Sequence, residues 1–241
     1  MASSAWSQLF LSRRHRLGIP DAGDDAWCPQ CNGILDCFSL HAGTCSAGGE
    51  LTLRHHALRD TIYKWAESQR EKPGLLLPQR PEETGLGRRR PADVFVPSLA
   101  GIPTAFDIAV TAPQRSESLR EASCKTGAAA DSYAEVKAAH LRTAQLCENQ
   151  GVRFQPLVVE STGAWSTSAS HNLRLLARAT AAREGEDATA CQAQLLQELC
   201  ITARRFRGRA VLRHRTELAS SAGLDIARPA AALLLAADPG R

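Results

Sequence analysis

Apolar positions along this chain follow helical and strand periods in turn, with one stretch that follows neither. From Thr52 to Gln69, Leu53, Ala57, Leu58, Ile62, Trp65 and Ala66 fall near a 3.6-residue spacing, which predicts a helix with Thr52 as its N-cap. The apolar run Gly74 to Leu77 reads as a short strand, and Pro78, Pro81, Gly85 and Gly87 make the following stretch a loop. Ala92–Val96 and Ala105–Thr111 are rich in β-branched and aromatic residues. Pro97, Gly101 and Pro103 punctuate the gap, so the pair reads as adjacent antiparallel strands. Helical spacing returns over 128–149 through Tyr133, Val136, His140, Leu141, Ala144 and Leu146, with Gly151 as a stop signal. Phe154–Val159 reads as a buried strand in which Pro156 favours an edge or a bulge. Two further helices are expected near 168–183 and 187–214, and the last dozen residues are expected to fray. There is no internal repeat.

Residues 28–49 show little periodicity and many Cys and Gly, so they cannot form an apolar core, and a bound metal is the natural substitute. Four segments follow: 1–27 as a basic arm or linker, 28–49 as a zinc knuckle, 50–165 as an α/β core, and 166–241 as a helical C-terminal region.

Composition narrows the class. Of 241 residues, 44% are hydrophobic and 22% charged, which excludes a disordered chain. There is no apolar run of membrane-spanning length and no secretory signal pattern, so the expectation is a soluble intracellular protein, nuclear or cytoplasmic. Lys and Arg total 29 against 25 acids, and a net charge of +4 does not by itself imply a polyanionic partner. Arginines nevertheless cluster at 13–16, at Arg88, Arg89 and Arg90, and from Arg204 to Arg215, as local patches able to meet phosphates.

Four of the eight cysteines lie between 28 and 45. Cys28 and Cys31, two residues apart across Pro29-Gln30, set two thiolates on one tight turn, and His41 and Cys45 follow as C-x2-C-x9-H-x3-C. These four suit tetrahedral Zn²⁺, which leaves no open position and makes the metal structural. Cys37 is an alternative ligand, though Cys28, Cys31, His41 and Cys45 are preferred. Cys124, Cys147, Cys191 and Cys200 are scattered and read as ordinary thiols.

A second chemistry rests on acids. Asp93 enters one strand and Asp107 lies in the next, so two carboxylates can converge on a hard divalent cation such as Mg²⁺, with the Ile108 carbonyl as a further ligand. A cation must then orient the nucleophile and offset charge on a phosphate. Lys137, on the following helix, is preferred to Lys125, which lies in a loop-like stretch. Asp60, Glu67 and Glu160 are weaker candidates for an added carboxylate.

The order of these motifs over roughly residues 13–165 resembles the restriction-endonuclease-like domain at the C-terminal end of site-specific non-LTR retrotransposon proteins. Arg16-Leu17-Gly18-Ile19-Pro20 resembles the segment before that family's zinc knuckle, and the Cys, Cys, His and Cys ligands follow. Leu53-Arg54-His55-His56 stands where the family usually shows Arg or Lys, His, Asn. Arg90-Pro91-Ala92-Asp93 and Phe106-Asp107-Ile108-Ala109-Val110 resemble its two metal-binding acid motifs, and Tyr133-Ala134-Glu135-Val136-Lys137 resembles its lysine helix. Such domains are similar to PD-(D/E)-x-K nucleases. The resemblance therefore implies a mixed central sheet flanked by helices, Asp93, Asp107 and Lys137 as catalytic residues, Mg²⁺ as the catalytic ion, and single-strand nicking of DNA. Arg54, His55, His56 and Arg88–Arg90 then become candidate nucleic-acid contacts, with RNA as an alternative partner to DNA. Ala109 stands where the standard motif carries its lysine, so activity falls to a migrated lysine such as Lys137. The alternative is a catalytically inactive nucleic-acid-binding remnant or a domesticated binding module.

Overall fold

The computed structural model describes residues 2–67 and 92–221. The expected strand at Gly74 to Leu77, the loop after it, Arg88, Arg89, Arg90 and Pro91, and the last dozen residues lie outside the described residues. Contacts divide the chain into two compact units, Met1–Arg54 with Ile201–Arg241, and His55–Cys200. This differs from the four segments read along the sequence, because two of them, the N-terminal arm and the second half of the C-terminal region, belong to one unit with the knuckle.

In the first unit, helix α1 (Ala2–Arg16) stands where an arm or linker was expected. Its anchor is Leu11, 0% exposed, which packs with Leu35, Ala42 and Val211. The basic residues gather at its end, Arg13 to Arg16, and one buried leucine carries too little periodicity to reveal the helix. Strands β1 (Ala26–Trp27) and β2 (Ile34–Leu35) form a short antiparallel hairpin whose turn carries Cys28 and Cys31. Helix α2 (Glu50–Glu67) begins two residues before the expected N-cap, with the Leu53 amide bonded to the Gly49 carbonyl, and runs on into the second unit.

The second unit is a mixed α/β body around a three-stranded sheet. Strand β3 (Val94–Leu99) pairs antiparallel with β4 (Ile102–Thr111), as the punctuation between them implied. Positive φ at both Ala100 and Gly101 gives the tight reversal whose twist suits a hairpin. Helix α3 (Leu119–Cys124) and helix α4 (Ala128–Ala139) follow. The helix expected over 128–149 is broken: Leu141 and Arg142 take φ of 50° and 55° within a 3-10 turn, and helix α5 (Thr143–Glu148) resumes beyond it. The break lets Cys147 reach Phe154, Ala105 and Ala92, a contact that periodicity along one helix cannot report.

Strand β5 (Arg153–Glu160) pairs parallel with β4 alone, and the order is β3-β4-β5. Among the described residues β5 is thus an edge strand, which is where Pro156, lacking an N–H, is tolerated. Its last five residues are all buried, so both faces are covered. One face carries Ala109 and Val158 against Ala130 and Ala134 of α4. On the other, helix α6 (Thr167–Glu184) is held by the Asn172 amide donating to Gln155 at 2.8 Å. Helix α6 starts on the Ser166 hydroxyl, which accepts from the Ala169 amide, and ends at Gly185 with φ 72°. Helix α7 (Ala188–Ser221) is the longest element, and its residues from Ile201 onward belong to the first unit. Among the described residues no helix is long and apolar enough to cross a membrane.

Candidate functional site

Two clusters of chemical groups arise, one in each unit. The knuckle is built by local geometry. The β1–β2 turn closes with the Cys28 amide on the Gly33 carbonyl. Within it the Gln30 amide donates to Cys28 Sγ at 3.4 Å and the Gly33 amide to Cys31 Sγ at 3.3 Å. Amides aimed at sulfur from two residues on stabilise thiolates over thiols. A second turn is capped by Asp36, whose carboxylate accepts from the amides of Phe38, Leu40 and His41. The Cys45 amide bonds the His41 carbonyl at 2.7 Å, so the H-x3-C spacing becomes one helical turn with both side chains on the same side.

The two turns meet. Cys31 Sγ lies 3.3 Å from His41 Nε2 and 3.7 Å from Cys45 Sγ. Bond lengths of about 2.3 Å to sulfur and 2.0 Å to nitrogen imply tetrahedral edges of roughly 3.5 to 3.8 Å, so these separations fit a zinc site. The ligand atoms of Cys28, His41, Cys45 and His214 also all lie within 4.8 Å of one another. The cluster can therefore hold a metal ion such as zinc. None of the eight cysteines forms a disulfide, and Cys37 stands outside the cluster with its amide on Asp25. Burial pushes the Cys45 thiol up to about 11, whereas the Gly33 amide draws Cys31 down.

His214 was not foreseen. It lies on α7, far along the chain from the knuckle, and no local spacing links the two. The only clue was its place in the Arg- and Leu-rich helix, where a histidine is unremarkable. The same stretch of α7 clamps the knuckle loop: Arg213 donates to Gln30 Oε1 at 2.6 Å and to the Gly48 carbonyl, and Gln30 donates in turn to Glu217.

Several arginines of the two patches read as phosphate contacts are instead engaged within the first unit. Arg207 is buried and donates to the Phe38 carbonyl, and Arg215 donates to the Ser39 hydroxyl. In the N-terminal patch, Arg14 donates to the Pro20 carbonyl and pairs with buried Asp21 at 3.8 Å. Arg54 is corrected too: it is 6% exposed and donates to the Gly43 carbonyl at 2.9 Å, so it props the knuckle turn and presents no surface to a nucleic acid.

In the second unit, strand register gathers the acids. Val94 pairs with Phe106, which sets Asp93 opposite Asp107. Asp107 pairs with Pro156 on the face that also carries Ala109 and Val158. That face is covered by Ala130 and Ala134 of α4, and Lys137 continues the same helix stripe at i+7 and i+3. Its ammonium meets Asp107 Oδ2 at 2.8 Å. Lys125 instead pairs with Asp131 at 2.9 Å, which separates the two candidate lysines.

Asp93 is held from two sides. Its Oδ2 accepts from the Ile108 amide at 2.8 Å, and its Oδ1 lies 3.2 Å from His55 Nε2. The expected ligand at Ile108 was its carbonyl; the group that reaches the acid is its amide. Burial pushes Asp93 up, but the bonds from His55 and the Ile108 amide outweigh it and leave the carboxyl below its usual range. Asp107 moves the other way: burial raises it, Asp93 adds to the rise, and Lys137 offsets only part. The Asp93 bond raises His55.

The remaining candidates separate cleanly. His56 is exposed and tilted against the His55 ring at 5.6 Å. Asp60 is engaged by Arg59. Glu160 is buried and spent on structure, accepting from the Ala129 amide at the start of α4 and from Thr162. The Glu67 side chain lies outside the described residues. Compared with known proteins, the chain matches no family model and no curated protein.

Proposed function

We propose that this chain is a metal-dependent DNA endonuclease domain that nicks one strand, of the restriction-endonuclease-like type its motif order resembles, with a structural zinc in the knuckle. The observation that supports it most is the meeting of Asp93, Asp107 and Lys137 from two strands and a helix, with Lys137 at 2.8 Å from Asp107. A salt bridge that served only stability would not need a second carboxylate opposite it, since like charges side by side cost free energy.

Asp93 and Asp107 would hold a hard divalent cation such as Mg²⁺, which polarises a phosphodiester and lowers the pKa of an attacking water. Asp93 enters as a carboxylate already ionised by its hydrogen bonds. Asp107 is the residue whose charge burial opposes, and a nearby cation favours its ionised form. Lys137, displaced from Asp107, turns its ammonium toward the phosphate oxygens and offsets their developing charge. His55 orients Asp93 through Nε2, and exposed His56 beside it would meet the strand backbone.

The test is nicking of supercoiled plasmid DNA in Mg²⁺ or Mn²⁺. The proposal expects nicking that is abolished by Asp93→Ala and by Asp107→Ala. Salt-dependent DNA binding without cleavage, indifferent to both substitutions, would instead identify a binding module and overturn the catalytic reading.

A further inference from the structure

The knuckle has more donors than a tetrahedral ion needs. Cys28, Cys31, His41 and Cys45 supply four, and His214 is a fifth within 4.8 Å of three of them. Three properties of His214 point to a ligand. Its ring is 1% exposed. Its Nδ1–H donates to the Ala210 carbonyl at 2.8 Å, one turn back on its own helix, which fixes the tautomer and leaves a lone pair on Nε2. Nε2 is buried and has no hydrogen-bond partner. A buried acceptor with nothing to accept from costs about 1–3 kcal/mol. A metal-binding histidine typically has this arrangement, with one nitrogen tied to a carbonyl and the other held free for the ion.

Cys31 is the complement. It is the only one of the three cluster thiols that is not buried. Its turn is clamped to α7 by Gln30, Arg213 and Glu217, immediately beside His214. We propose that His214 is a reserve ligand of this centre, whose Nε2 takes the coordination position of Cys31 when that thiolate is withdrawn, so that the site passes from three sulfurs and one nitrogen to two of each. The inference rests on the zinc reading of the knuckle. Its consequence is that the ion ties the C-terminal helix to the N-terminal turn and is retained while Cys31 is free to react.

Co²⁺ replaces Zn²⁺ as a spectroscopic probe in the full chain, because its sulfur-to-cobalt absorption scales with the number of bound thiolates. Wild type binds one Co²⁺ with three-thiolate intensity. Cys31→Ser still binds one Co²⁺, within about tenfold of wild-type affinity, and its intensity falls by about one third. Adding His214→Ala to Cys31→Ser weakens binding a further 100-fold or so. Adding His214→Cys to Cys31→Ser instead restores three-thiolate intensity, a gain that misfolding cannot produce. If Cys31→Ser alone loses as much affinity as Cys31→Ser with His214→Ala, or the His214→Cys combination regains no intensity, the reserve ligand is refuted. A wild-type chain that binds no Co²⁺ would remove the zinc reading itself.

Discussion

Replacing Lys137 by Met keeps the length of the side chain and deletes its charge, which separates a catalytic role from a structural one. The ammonium sits 2.8 Å from Asp107 Oδ2, with the two side chains 29% and 17% exposed. Two unit charges about 4 Å apart at an effective dielectric of about 20 attract by roughly 4 kcal/mol. Desolvation and side-chain ordering remove most of that, so the net loss of stability should be about 1–2 kcal/mol. The same loss appears as a gain elsewhere. With no ammonium competing for Oδ2, a divalent ion binds more tightly by a similar free energy, about tenfold. Cleavage should move in the opposite direction, because a charge-offsetting donor contributes about 10²–10³ in rate. Titration calorimetry with Ca²⁺ gives the affinity, plasmid nicking at saturating Mg²⁺ gives the rate, and Lys125→Met, which breaks only the pair with Asp131, serves as control. Nicking by Lys137→Met within about threefold of wild type, or weaker Ca²⁺ binding, would refute the role assigned to Lys137.

Three further outcomes follow from the first unit. A Cβ at Gly33 would stand 2.5 Å from His41 Cε1, so Gly33→Ala should cost about 1–3 kcal/mol by crowding the ring, read as a lower chelator concentration for half-unfolding. Arg54→Ala should lower stability by about 2 kcal/mol in urea denaturation, because it leaves the Gly43 carbonyl unpaired, while the salt slope of DNA binding stays unchanged; a flatter slope would return Arg54 to the nucleic-acid surface. Burial raises the Asp21 carboxyl against the opposing pull of Arg215, Arg207 and Arg14, so the folded chain binds its proton more tightly than the unfolded chain. Stability should therefore fall as pH rises from the ordinary aspartate value through the raised one and level off above it, and Asp21→Asn should flatten that slope in melts taken across the window.

Much of both sites was legible in the sequence wherever short spacing does the work. C-x2-C around one turn and H-x3-C around one helical turn bring their own side chains together, so the pairing of Cys28 with Cys31 and of His41 with Cys45 needed no knowledge of the rest of the chain. The strand pair was equally plain, and with it the meeting of Asp93 and Asp107, because a tight antiparallel hairpin converts sequence distance directly into register.

What the tertiary structure alone decided involves partners far apart along the chain. Lys137 rather than Lys125 reaches Asp107 because Ala130 and Ala134 dock α4 on the face that carries the acid, and that docking depends on a parallel strand formed after the helix. Arg54, Arg207 and Arg215 looked like surface charge by composition, yet they are spent on two knuckle carbonyls and a hydroxyl, since only packing determines which side of a helix is buried. His214 joins the Cys/His cluster for the same reason. Local spacing is written in the order of the residues, whereas the approach of α7 to the knuckle is set by the burial of Leu11, Leu35, Ala42 and Val211 together, a cooperative contact that no single segment of the sequence contains.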